Sequence, residues 1–316
     1  MKLKEIYELA VKMGMESDPR GKEQVLKALE KEKKRYEKLS EKEKEEYDLE
    51  NLTNPYSDTR VYLGDLEQEI HTALVGIDME VGEVLLADRL TEKGTKIDLI
   101  ITHHPEGSGI AKLYEVMHLQ EDILHQLGVP INVAEGIMAP RIGEVKRGLM
   151  PLNHNRAIDA AKLLGFAFMS VHTPADNLVT TYLTNYFNEK KPETVGEVVD
   201  FLKELPEYKE ATKIGAGPTI VVGAPERRCG KIFVDMTGGT SGSDEMFAKL
   251  STTDVGTIVT MHISEKHKKE AEKHNINVVV AGHMASDSLG MNLWLDKLEE
   301  NGVRVIATSG LIRVKR

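Results

Sequence analysis

Four apolar runs in this chain break off at histidine. Ile97–Thr102 runs into His103-His104, Phe166–Val171 into His172, Val255–Met261 into His262, and Ile276–Gly282 into His283. Runs of this length, rich in valine and isoleucine, read as parallel strands buried on both faces. In open α/β sheets the ligand lies beyond the carboxyl ends of the strands. A fold that accepts these four runs as strands therefore carries imidazoles to its sheet edges.

Between the runs the pattern changes to helical spacing. His71–Asp78 reads as a strand, Val81–Lys93 as a helix ended by Gly94, Ile110–Leu127 as a helix, Val129–Val133 as a short strand, and Ala157–Leu164 as a helix closed by Gly165. A second half repeats the rhythm, with strands at Thr219–Val222, Lys231–Asp235 and Val303–Thr308 besides the two histidine-ended runs. Strands alternating with helices predict α/β architecture with mostly parallel sheets. We expect two interlinked lobes, 61–190 and 191–316, forming one intertwined unit. They are preceded by an amphipathic helix and a charged helical arm over 1–60, where Lys22–Arg35 carries mixed charges and only a thin apolar stripe.

Composition narrows the function classes. The 51 acidic residues against 41 basic ones give a net charge of −10, which repels a phosphate backbone and makes nucleic acid an unlikely partner. The single cysteine, Cys229, excludes an intrachain disulfide or a cysteine-rich zinc site and fits a reducing compartment. With no run resembling a signal peptide or reaching the roughly 20 apolar residues of a membrane span, the expected setting is the cytoplasm, with no membrane partner.

A lone histidine at a strand end is usually a satisfied polar residue. The adjacent pair His103-His104 is less ordinary, because neighbours on an extended chain point to opposite sides and can serve two ions. His172 and Asp176 stand four apart in a stretch that Pro174 makes read as a loop. His283 and Asp287 fall one turn apart on a helix expected to start near Met284. Imidazole with carboxylate suits Zn, Mn, Fe(II), Co or Ni rather than an oxygen-only Mg or Ca cage. Scattered structural polar residues are the competing explanation.

These three motifs, Ile100–Pro105, His172–Asp176 and Gly282–Asp287, in this order, resemble the Nif-three-like family. The resemblance extends over most of the chain from about residue 60, including the glycine-rich turn Gly238–Ser243. It implies a homohexamer with two divalent ions per subunit and similarity to GTP cyclohydrolase type 2 homologues. It also implies His103 and Asp176 on one ion, His104 and His283 on the other, and Asp287 bridging both. The family usually has glutamate at the bridging position, and aspartate is one methylene shorter. Glu106-Gly107-Ser108-Gly109 replaces the usual apolar residues after His-His-Pro, and the stretch between His104 and His172 is long.

That stretch carries Arg141, Lys146, Arg147 and Arg156, which read either as a charged surface insertion or as a lid for an anionic substrate. Gly238–Ser243 could present N–H groups to a phosphate, though a tight strand-to-helix turn explains it as well. His262 and His172 are the candidate proton-transfer groups. The expected function is metal-dependent hydrolysis of a nucleotide-like small molecule. The alternative is a non-catalytic metal- or ligand-binding protein, such as a metallochaperone, cofactor-assembly factor or regulator.

Overall fold

The computed structural model describes all 316 residues. The N-terminal segment forms α1 (Leu3–Glu16), α2 (Lys22–Glu37) and α3 (Glu41–Glu45). The first lobe follows as β1 (Val61–Leu63), β2 (Thr72–Gly76), α4 (Val81–Glu92), β3 (Leu99–Thr102), α5 (Gly107–Ala111), α6 (Leu119–Gln126), α7 (Ile131–Leu149), α8 (Arg156–Leu164) and β4 (Ala167–Ser170). Next come α9 (Thr173–Lys190), α10 (Val195–Glu204) and α11 (Pro206–Lys213). The second lobe runs β5 (Thr219–Val222), β6 (Lys231–Asp235), α12 (Met246–Leu250), β7 (Val255–Thr260), α13 (Glu265–Lys273), β8 (Asn277–Val280), α14 (His283–Glu300) and β9 (Arg304–Ala307).

The strands form two sheets, ordered β1-β4-β3-β2-β9 and β5-β8-β7-β6. All pairings are parallel except those of the edge strands β1 and β5. The last strand of the chain, β9, lies in the first sheet beside β2 (Thr72 opposite Arg304), so the lobes are interlinked.

The cores show how the layers stack. Leu74, Val84, Ile100 and Phe168 form one cluster in which α4 and α8 cover one face of the first sheet. On its other face, Leu3 and Ile6 of α1 pack with Leu178 of α9 and Trp294 of α14. The same two helices turn opposite sides to the second sheet, placing Val179, Leu183, Ala285 and Leu289 against Val234, Val259 and Val279. The far face of that sheet is covered by α6, α7, α12 and α13. Helices α9 and α14 are thus a central layer between two sheets, and they touch closely. A Cβ on Gly290 of α14 would lie 2.2 Å from the carbonyl oxygen of Ala175 in α9.

Three expectations need correction. Val129–Val133 is not a strand, because Pro130 caps the start of the 19-residue α7, whose interior holds Pro140. The helix expected over 110–127 is broken into α5, a 3-10 stretch at Leu113–His118 and α6. The stretch holding Asp176 is not a loop. Pro174 occupies the first turn of α9, where its missing N–H costs nothing, and Asp176 lies in that same turn.

Candidate metal centre

The carboxyl ends of β3 and β4 and the amino ends of α9 and α14 meet at one point. Backbone bonds from His103 to Gly76 and from His104 to Ile77 carry the ladder one step past β3 and fix the His-His pair on the sheet edge. His172 precedes α9, where a loop was expected, and His283 opens α14, one residue ahead of the expected start. Asp176 and Asp287 lie within the first and second turns of the two central helices, 4% and 1% exposed.

The carboxylate of Asp287 stands in the middle. Its Oδ1 is 3.5 Å from His103 Nε2, while its Oδ2 is 3.5 Å from both His104 Nε2 and His283 Nε2. Asp176 Oδ1 is 3.4 Å from His103 Nε2, and Asp176 Oδ2 is 3.7 Å from His172 Nε2. These separations exceed an N–H···O hydrogen bond, and Asp176 Oδ1 and both Asp287 oxygens are buried with no hydrogen-bond partner. Ligand atoms around one tetrahedral ion with bonds near 2.1 Å stand about 3.4 Å apart. Such spacing fits donors that share an ion. The sets His103/Asp176/Asp287 and His104/His283/Asp287 each bring one atom per residue within 4.8 Å of the others.

The far nitrogen of three imidazoles is held from outside. His103 Nδ1 is 3.0 Å from the carbonyl of Val171, His104 Nδ1 is 2.7 Å from Asp78 Oδ1, and His172 Nδ1 is 2.8 Å from Asp58 Oδ2. Where Nδ1–H donates to these acceptors, the lone pair of Nε2 turns inward, the arrangement that orients histidines for metal binding.

Comparison with solved structures places this arrangement. The fold matches a NIF3 superfamily protein from Sphaerobacter thermophilus with a TM-score of 0.71 and 27% identity, covering 81% of this chain and 92% of that one. The chain is NIF3-like. Fainter likenesses run to reduced HcgD from Methanocaldococcus jannaschii (TM-score 0.49, 16% identity, 78% of this chain and 87% of that one) and to a Bacillus cereus protein related to NIF3 (0.42, 11%, 79% and 91%). No protein-family model matches the sequence, and a search of curated proteins finds no match.

Charge in this site is unevenly held. Burial opposes a charge on His104, but Asp287 and Asp78 outweigh it and raise the imidazole to about 10. Burial pushes Asp176 up to about 6 against the pull of His172 and His103. The same burial acts on Asp287, yet His103, His104 and His283 around it hold it well below the usual carboxylate range. His283 is pulled down to about 4, chiefly by burial, and His262 is lowered for the same reason. Both are therefore neutral at pH 7. Burial also works against His172, but Asp176 and Asp58 raise it.

A cleft with about 700 Å³ of empty space, open to solvent, leads from the cluster across the carboxyl edge of the second sheet. Met246, Phe247, Ile258 and Met261 give it an apolar wall, and the turn after β6 lies alongside. His262 lines the cleft, its ring 5.0 Å from that of His283. Asp235, at the end of β6, faces the cleft with no hydrogen-bond partner, and burial pushes its carboxyl up to about 6.

Sequence reasoning missed Asp58, Asp78 and Asp235. Asp78 and Asp235 end strands on the histidine-bearing edges, so strand ends searched for carboxylates as well as histidines would have found them. Asp58 gives no such signal, because Asn54–Asp58 has loop composition, yet Asp58 is fully buried. None of Arg141, Lys146, Arg147 and Arg156 lines the cleft. Lys146 lies over the ring of Tyr114, and Arg141 binds Glu144 and the Ser241 carbonyl.

Proposed function

We propose that this NIF3-like protein holds two divalent ions and hydrolyses a nucleotide-like small molecule in the cleft beside them. The supporting observation is the position of Asp287, which offers one oxygen to His103 and the other to His104 and His283. On this reading His103 and Asp176 would hold one ion and His104 and His283 the other, with Asp287 as the carboxylate shared by the two donor sets. Zn, Fe, Mn, Co and Ni all suit such donors. Bound there, the ions supply Lewis acidity toward an electrophilic carbon or phosphorus.

The chain's own residues do the rest. The apolar wall of the cleft seats the unreactive part of the ligand and excludes water from it. Neutral His262, on the same side as His283, accepts a proton from the attacking water. His172, whose proton affinity Asp176 and Asp58 raise against burial, returns one to the leaving group. The subunits assemble as a homohexamer in the cytoplasm on this reading, and the acidic net charge favours a small-molecule ligand over nucleic acid.

Elemental analysis of the purified protein, followed by a nucleotide panel assayed with each metal, tests the proposal. We expect two metal equivalents per chain, and turnover that His104→Ala and Asp287→Ala both abolish. Full metal with no turnover on any nucleotide would replace hydrolysis by the non-catalytic binding role. Turnover that survives both substitutions would remove the site altogether.

A further inference from the structure

In the turn Thr237–Ser243, between β6 and α12, most carbonyls have side-chain partners and most N–H groups have none. Four of its carbonyls are met by side chains. Gln120 Nε2 donates to those of Gly238 and Thr240 at 2.7 Å each, and Arg141 Nε donates to that of Ser241 at 3.0 Å. His267 Nε2 lies 3.1 Å from that of Gly242. The N–H groups are treated differently. Those of Thr237, Gly238, Gly239, Ser241, Gly242 and Ser243 meet no acceptor in the chain, and only the Thr240 N–H does, at the Gly238 carbonyl.

Thr237, Gly238, Gly242 and Ser243 are buried. Well over nine in ten buried backbone N–H groups are paired in native proteins, so a cluster of unpaired ones in a single turn requires a partner. The glycines explain the geometry. Gly238 and Gly239 take φ of +94° and +84°, and a Cβ on Gly238 or Gly242 would lie 2.6 or 2.3 Å from Gln120. The back of the turn is therefore closed against α6. Its front is the cleft, lined by Thr237, Gly239, Thr240, Ser241 and Gly242 together with His103, Asp176 and Asp287. The hydroxyls of Thr240 and Ser241 make no hydrogen bond within the chain.

We propose that this turn is an oxyanion subsite, in which the N–H groups of Gly239, Ser241 and Gly242 and the hydroxyls of Thr240 and Ser241 take the phosphate of a small-molecule ligand. Successive N–H groups turned to one side by left-handed glycines form such anion-binding concavities. The inference rests on the ligand-binding reading of the same cleft. Asp235, two residues upstream of the turn, has the opposite preference. A ligand that satisfies both has an anionic end and an end rich in N–H donors.

Two measurements on the full chain with its native metal test this. Crystals soaked in tungstate, a heavy phosphate analogue, should show anomalous density within hydrogen-bond distance of the amides of residues 239–242. Calorimetric titration with inorganic phosphate should show binding about ten-fold weaker in Thr240→Val/Ser241→Ala, since a hydrogen bond to a charged group is worth about a factor of ten. Metal content and melting temperature should stay unchanged. If the double variant does not fold, Gln120→Met, which frees two carbonyls of the turn, should weaken phosphate by a similar factor. Tungstate found only on the His/Asp cluster, an adventitious ion only at surface lysines, or undiminished phosphate binding in the variants would each overturn the subsite. Tungstate at the turn without nucleotide turnover would leave the subsite standing and remove hydrolysis. Turnover with no anion at the turn would do the reverse.

Discussion

Gly290→Ala is the most incisive change to make, because it acts on the His/Asp cluster without touching any of its members. A methyl at Gly290 would sit 2.2 Å from the carbonyl oxygen of Ala175 and 2.9 Å from its carbon. Both atoms belong to the backbone of α9, so no rotamer relieves the clash. Ordinary contact begins near 3.4 Å, so the central helices must part by about 1 Å, and overpacking of this kind costs about 1–3 kcal/mol. With an unyielding neighbour we take the upper end. At about 2–4 °C per kcal/mol for a chain of this size, the melting temperature should fall by about 5–10 °C. The displacement falls one turn from Asp287 and beside Asp176, whereas metal–ligand distances tolerate only about 0.2 Å. The purified variant should therefore carry well under its full metal complement. Gly82→Ala in α4 and Gly136→Ala in α7 are the controls, since a Cβ there meets nothing within 4 Å. Each should gain up to about 1 kcal/mol from helix propensity. A Gly290→Ala protein with unchanged melting temperature and full metal would refute the claim that the close approach of α9 and α14 sets the site.

Asp235→Asn should stabilise the protein at neutral pH. The folded-state pKa of Asp235 lies near 6, above the ordinary 3.8, so ionisation costs stability above that range and costs nothing below it. The full shift corresponds to about 3 kcal/mol, which solvent in the cleft reduces to about 1 kcal/mol. Thermal melts should show the variant ahead at pH 7 and level with the parent near pH 3.5; an advantage that persisted at low pH would contradict the burial argument. Asp58→Asn should destabilise, by about 1–3 kcal/mol, because it removes the nearer of the two carboxylates facing the buried His172 and leaves only Asp176 at 3.7 Å. Asp58 is lowered from 3.8 and His172 raised from 6.5 in the fold, so the pair contributes fully only between those values. The melting deficit should peak between pH 4 and 6.5, and a deficit independent of pH would count against an ionic pair.

Much of this was legible in sequence because strands carry strong local signals. The runs ending at His103, His172, His262 and His283 are apolar and short, three of them rich in β-branched residues, and their alternation with helices leads to parallel sheets. Helix α9 was not legible, for a reason that also makes it important. Ten of its eighteen residues are buried, facing two sheets at once, so its apolar positions follow no single stripe and Asp176 reads as part of a loop. The eleven buried residues of α14 blur its pattern in the same way, though the His283/Asp287 spacing still marked its start. Strand β1, three residues long, was too short to register. The partners of the histidines come from distant segments, Asp58 from a loop and the Val171 carbonyl from backbone, and spacing along the chain cannot show them.

The place of β9 has a consequence for how the protein is made. Until Arg304–Ala307 leave the ribosome, strand β2 presents an open edge, and α14 with His283 and Asp287 has only just been synthesised. At about 5–20 residues per second, that edge waits for tens of seconds. A nascent or truncated chain that stops short of Asp287 has His103 and His104 but lacks the carboxylate that stands between them. A chain ending between Asp287 and Arg304 keeps that carboxylate but leaves the β2 edge open to proteases, whereas one ending before Asp287 also loses the centre of the His/Asp cluster.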